Sequence, residues 1–127
     1  MRSTELLQQY RSAILEMDEL SYQLDQNRSK PGTSKSYLRV SLDTQPRLIN
    51  GLEALLLQKR DLLAELAAPV WALLSDIKDG RLLQIIQRYY LEGMTDRQIA
   101  HLLRLTTTRI NQIRRQYLQQ LEAQGSF

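Results

Sequence analysis

Apolar side chains recur along this chain in long three-and-four rhythms rather than in alternation, so the pattern predicts helices and no strands. Leu7, Tyr10, Ile14, Met17, Ser21 and Leu24 form one such seam, with Ser21 its single polar break. Ser3 or Thr4 is the natural N-cap, and the pattern fades near Asn27. A second, greasier seam follows Pro46, through Ile49, Leu52, Leu56, Lys59, Leu63, Leu66, Val70, Leu73 and Ile77. Proline suits a first helical position. Leu48, Leu55 and Leu62 add a parallel row, so this helix needs one partner for each of two faces. Pro69 has no backbone donor and crowds the preceding turn, which predicts a kink or restart near Ala68. Trp71, just beyond, is expected as a core or interface anchor.

Between these helices lies NRSKPGTSKSYLRVSLDTQP, expected as a flexible basic loop over 28–46 that carries Arg28, Lys30, Lys35 and Arg39, with Arg47 at its edge, against Asp43. Its length lets the two helices fold back as an antiparallel hairpin. Asp79 then caps a third helix with Gly80 at its first position. Leu82, Ile85, Ile86, Tyr89 and Tyr90 give that helix its apolar face, and Gly93 stops it. Thr95 with Gln98 three residues on is a capping box, which starts a short helix at Asp96 that ends near Leu103. Thr106 or Thr107 caps a last helix. The fold class expected is all-α: a helical hairpin over 1–78 and a C-terminal unit over 79–127 that closes with two further helices.

The last two helices have the spacing of a helix-turn-helix. Ile99, Leu103, Leu105, Ile110 and Ile113 fall at the offsets that a steep helix crossing must fill, and Ala100 is the small residue where backbones approach. With Ile110, Ile113 and Tyr117 turned inward, the other face presents Thr107, Thr108, Asn111, Gln112 and Arg115. Such hydrogen-bonding groups match base edges in the major groove, where Asn or Gln pairs with adenine, Arg with guanine and a threonine methyl with thymine. Arg97, Arg104, Arg109 and Arg114 are the expected phosphate contacts.

Charge sharpens this picture. The chain carries 17 basic and 14 acidic residues for a formal charge of +3. Up to Lys78 the two signs balance, so the excess sits in the tail, where every basic residue is arginine. Arginine is the side chain suited to bidentate phosphate or guanine recognition.

The run YYLEGMTDRQIAHLLRLTTTRINQIRRQYLQQL resembles region 4 of the σ70 family, the helix-turn-helix that reads the −35 promoter element. The likeness is strongest in YLEGMTDRQIA and RINQI. The layout is similar to the ArpU and RinA type of late-gene activators of Gram-positive phages and prophages. That resemblance implies a promoter-binding regulator that works with host bacterial RNA polymerase in the cytoplasm. Two departures stand out. Arg104 occupies a turn position often held by glycine, and Thr107 and Thr108 stand where the σ family commonly carries charged base readers, which implies a different target sequence.

Other functions follow from the same pattern. A small-terminase-like packaging protein joins a similar DNA-binding end to an oligomerising hairpin, and a σ-mimicking protein occupies RNA polymerase itself. The spare apolar face of the second helix is open to a homodimer or to packing against the third helix. No enzyme is expected, because His101 has no visible partner for nucleophilic or metal chemistry and belongs on the exposed side of the first motif helix. Glu16, Asp18, Glu19, Glu53, Asp61 and Glu65 are explained by solvated helix faces. With no cysteine and one histidine, neither disulfide nor structural zinc is expected. Nor does any apolar run approach a membrane span or a signal peptide. Double-stranded DNA is the expected partner, with no cofactor.

Overall fold

The structure, a computed structural model, describes residues 1–29 and 45–124. Among them the chain is wholly helical: α1 (Ser3–Ser29), α2 (Gln45–Ser75), α3 (Gly80–Ile86), which runs into a π-helical turn (Gln87–Leu91), α4 (Asp96–Leu103) and α5 (Thr107–Gln124). The basic loop expected over 28–46 lies, from 30 to 44, outside the described residues. Its two ends belong to the flanking helices.

The first seam faces inward as its rhythm requires, with Leu7 and Leu24 buried. Lys59 approaches Glu16, and Arg28 Nη2 lies 2.5 Å from Glu53 Oε1. Leu7 clusters with Leu66 and Val70. Partner numbers thus rise along α2 as they fall along α1, so the two helices pack antiparallel. The two ion pairs are largely exposed, and such pairs set register more than stability.

α2 does not restart at Pro69 but continues through it to Ser75. The ring is exposed while Leu66, Val70 and Leu74 are buried on a neighbouring face. The carbonyl that loses its donor is that of Glu65, itself an exposed residue, and packing before and after the proline holds the helix together. Trp71 is half exposed, not part of the core.

The main core joins all the long elements. Leu7 of α1, Leu66, Val70 and Leu74 of α2, Ile86 and Tyr90 of α3 and its π turn, and Tyr117 and Leu121 of α5 form one buried cluster. The expected division at 78/79 therefore runs through shared packing. A second cluster, Ile85, Ile99, Ala100 and Ile110, holds α3, α4 and α5 together. Adjacent Ile85 and Ile86 send their side chains to different clusters, which makes α3 the wedge between them.

Caps explain the boundaries. Asp79 accepts from the Arg81 and Leu82 amides, and Gly80 opens α3. The Thr95–Gln98 capping box is complete in both directions, and Thr106 Oγ1 accepts from the Arg109 amide at 3.1 Å. Gly93 sits at φ +74°, and a Cβ there would lie 3.2 Å from both Ile14 and Leu15 of α1. This glycine is required both by its backbone angle and by the closeness of α1.

Arg104 adopts the left-handed conformation at φ 56°, ψ 44°, and the Leu105 amide reaches back to the Ala100 carbonyl. The turn keeps the geometry that glycine usually supplies and carries the strain of a side chain. Arg104→Gly is accordingly expected to raise the free energy of unfolding, by about 0.5–1 kcal/mol once the looser unfolded chain is counted. Chemical denaturation with an unchanged m-value checks this.

Candidate nucleic-acid interface

Ile99 and Ile110 are fully buried and Ala100 nearly so. Leu103, Leu105 and Ile113 pack partly buried around them with Tyr89 and Met94. The six residues expected to form the motif core thus come together in one cluster. Their burial fixes which side of α5 remains outside.

Thr108, Gln112 and Arg115, at steps of four and three, lie along the exposed middle of that outer face. Thr107 is exposed at the start of the helix. Arg97, Arg104 and Arg109 are exposed as well. Among the described residues these three arginines and Arg115 have no carboxylate within ion-pairing distance. His101 is exposed on α4, as expected from its position.

Arg114 differs from the other arginines. Its side chain is only 12% exposed and grips Asp96 at the start of α4: Nε to Oδ1 at 3.1 Å and Nη2 to Oδ2 at 2.9 Å. The guanidinium also lies 4.0 Å from the centroid of the Tyr89 ring. Arg11 of α1 lies at the same distance from that ring, and two guanidinium groups cannot share one face so closely, so they flank it. Arg11 further donates to the Met94 carbonyl at 3.2 Å. The stack Arg11–Tyr89–Arg114–Asp96 therefore ties α1, the π turn, α4 and α5 to one another. An arginine expected to touch phosphate is instead committed to the scaffold.

Electrostatics follow from this geometry. Burial pushes the Asp96 carboxyl up, but hydrogen bonds from Arg114 and Asn111 and the arginine charges outweigh it and hold the group below the ordinary carboxylate range. Burial disfavours the Arg114 charge, and its bonds to Asp96 and Tyr90 more than compensate, so its proton is held more tightly than usual. Burial likewise raises the Tyr90 and Tyr117 hydroxyls. The ion pair is intact at neutral pH.

Asn111 is half-buried at the α4 edge of the outer face, where its Nδ2 donates to Asp96 Oδ2 at 3.1 Å. On the other edge an open groove has the polar lining Asp79, Arg81, Arg109, Gln116 and Gln120. Arg81 lies far from the motif in sequence and was not among the expected contacts. Its only signal was membership of the all-arginine tail. The stack on Tyr89 had no local signal, since Arg11, Arg114 and Asp96 are 78, 25 and 7 positions from Tyr89.

Among the described residues no group of three or more His, Cys, Asp and Glu side chains is placed to hold a metal ion. No described helix is long and apolar enough to cross a membrane. Comparison with family models, curated proteins and solved structures finds no match for this chain.

Proposed function

We propose that the chain is a sequence-specific DNA-binding regulator in which α4 and α5 act as a helix-turn-helix and α5 is the recognition helix. The observation that carries this reading is the outer face of α5. It is exposed, it offers hydrogen-bonding side chains at successive turns, and unpaired arginines flank it on both sides, while the inner face is held rigid by the isoleucine cluster and the Asp96–Arg114 pair. Rigid presentation of polar groups is what base readout needs, and flanking cations supply the sequence-independent attraction.

In this reading Thr107, Thr108, Asn111, Gln112 and Arg115 face the bases, and Arg97, Arg104 and Arg109 meet phosphates. Arg81 joins them across its groove in place of Arg114. The long helices α1 and α2 brace the reader, because Leu7, Leu66, Val70 and Leu74 form the floor on which Tyr90, Tyr117 and Leu121 sit. The resemblance to σ70 region 4 makes a phage or prophage promoter, read beside host RNA polymerase, the proposed setting.

Gln112→Ala is expected to cost about 1–3 kcal/mol on the specific duplex and almost nothing on unrelated DNA. Arg97→Ala or Arg109→Ala should weaken both equally and lower the salt slope by about one. All three side chains are exposed, so unfolding temperatures should barely move. Titrations over a salt series measure these effects, and equal loss on both duplexes for Gln112→Ala would refute base reading by α5.

A further inference from the structure

The hydrogen bond between Asn111 and Asp96 constrains more than the fold. A carboxylate only accepts hydrogen bonds, so the Asn111 amide must turn its nitrogen towards Asp96 and its carbonyl oxygen away. The choice between the two flipped forms of the amide, ordinarily ambiguous, is settled here by the chemistry of the partner. Asp96 itself cannot rotate to relax the constraint, because both its oxygens are held by Arg114 at 3.1 and 2.9 Å, and Arg114 is held in turn against Tyr89.

Asn111 lies one residue before Gln112, and so about 100° around the helix from the centre of the outer face, on the side towards α4. From that edge it presents an acceptor. In the major groove the groups that an acceptor can meet are the exocyclic amines, N6 of adenine and N4 of cytosine. The keto oxygens O6 of guanine and O4 of thymine would face it oxygen to oxygen.

We propose that Asp96 is a specificity-determining residue that does not itself touch DNA: by holding the Asn111 amide with its oxygen outward, it makes this position select adenine or cytosine over guanine or thymine on the contacted strand. The inference rests on the DNA-reading role of α5 and adds to it the chemistry at one base. The lowered proton affinity of Asp96 is consistent with it, since a protonated carboxyl would offer a donor and permit the opposite amide. Asp96 is a positioning residue here, and Asn111 makes the contact.

The test uses the full chain and the duplex it selects from random sequence. The base pair read by Asn111 is the one whose discrimination Asn111→Ala erases. There, replacing the amino base by an analogue with hydrogen in place of the exocyclic amine should cost wild type roughly tenfold in affinity and leave Asn111→Ala indifferent. Asp96→Asn, whose amide can donate as well as accept, should reduce the preference to within about twofold with the rest of the motif intact. Wild-type tolerance of the amine-free analogue, or an undiminished preference in folded Asp96→Asn, overturns the inference. If Asp96→Asn does not fold, proton exchange at the Asn111 side chain of wild type decides instead. One Nδ2 proton is expected to be protected roughly tenfold or more over the other, and equal unprotected exchange overturns it. A chain that selects no sequence at all removes the DNA-reading role itself, and this inference with it, whereas the other failures remove the inference alone.

Discussion

Asp96→Ala is expected to destabilise the protein by about 3 kcal/mol, the range for removing one partner of a largely buried ion pair. The substitution leaves the Arg114 guanidinium 12% exposed with no carboxylate, and it also strands one donor of Asn111. Arg114→Met in the wild-type background strands Asp96 in the same way. The double variant Asp96→Ala with Arg114→Met should recover much of the loss, since the penalty is an unpaired charge and not the absence of the pair. Equilibrium denaturation of the four proteins gives the coupling, and additive losses would show that the pair does not hold α4 on α5.

The same pair imposes a pH dependence. The folded state holds the Asp96 carboxyl below its unfolded value, so its contribution is fully present above about pH 4, the ordinary carboxylate range, and is lost as pH falls through the lower folded value. Wild type should therefore lose more stability than the double variant over that acidic interval. Above it the two curves should run parallel.

A fragment of residues 79–127 is the second large case: it should fail to fold cooperatively. Ile86, Tyr90, Tyr117 and Leu121 are buried against Leu7, Leu66, Val70 and Leu74, all of which the fragment lacks. Exposure of each costs roughly 1.5–3 kcal/mol, together comparable to the 5–15 kcal/mol by which a whole domain is stable. The remaining cluster of Ile85, Ile99, Ala100 and Ile110 is too small to compensate. Circular dichroism should show a broad, weak transition, whereas a sharp melt with dispersed amide resonances would mean that the tail folds unaided. In the full chain Leu7→Ala should cost about 2–5 kcal/mol and loosen α5 although it lies on α1.

Local chemistry made the starts of the last three helices legible. Asp79, Thr95 with Gln98, and Thr106 are caps that act within three residues, and each does in the structure what its side chain implies. The isoleucine spacing of the motif core was equally readable, because it expresses the helical period alone. Contacts between distant residues were not. Nothing near Arg114 marks it as the partner of Asp96 and Tyr89, and among neighbouring arginines it looked like one more exposed cation. Pro69 shows the complementary failure: a strong local breaker is overridden by the burial of Leu66, Val70 and Leu74 before and after it. Trp71 was read from residue type alone, and residue type does not say which face it occupies.

The most direct measurement is selection of duplexes from a random-sequence DNA pool by the full chain, followed by titration of the enriched duplex over a salt series for wild type and Gln112→Ala. A discrete enriched motif is expected, with affinity falling steeply with salt and with Gln112→Ala losing the motif while retaining the weaker binding to unrelated DNA. Absence of any enriched motif, or binding insensitive to salt, would contradict a recognition role for the outer face of α5.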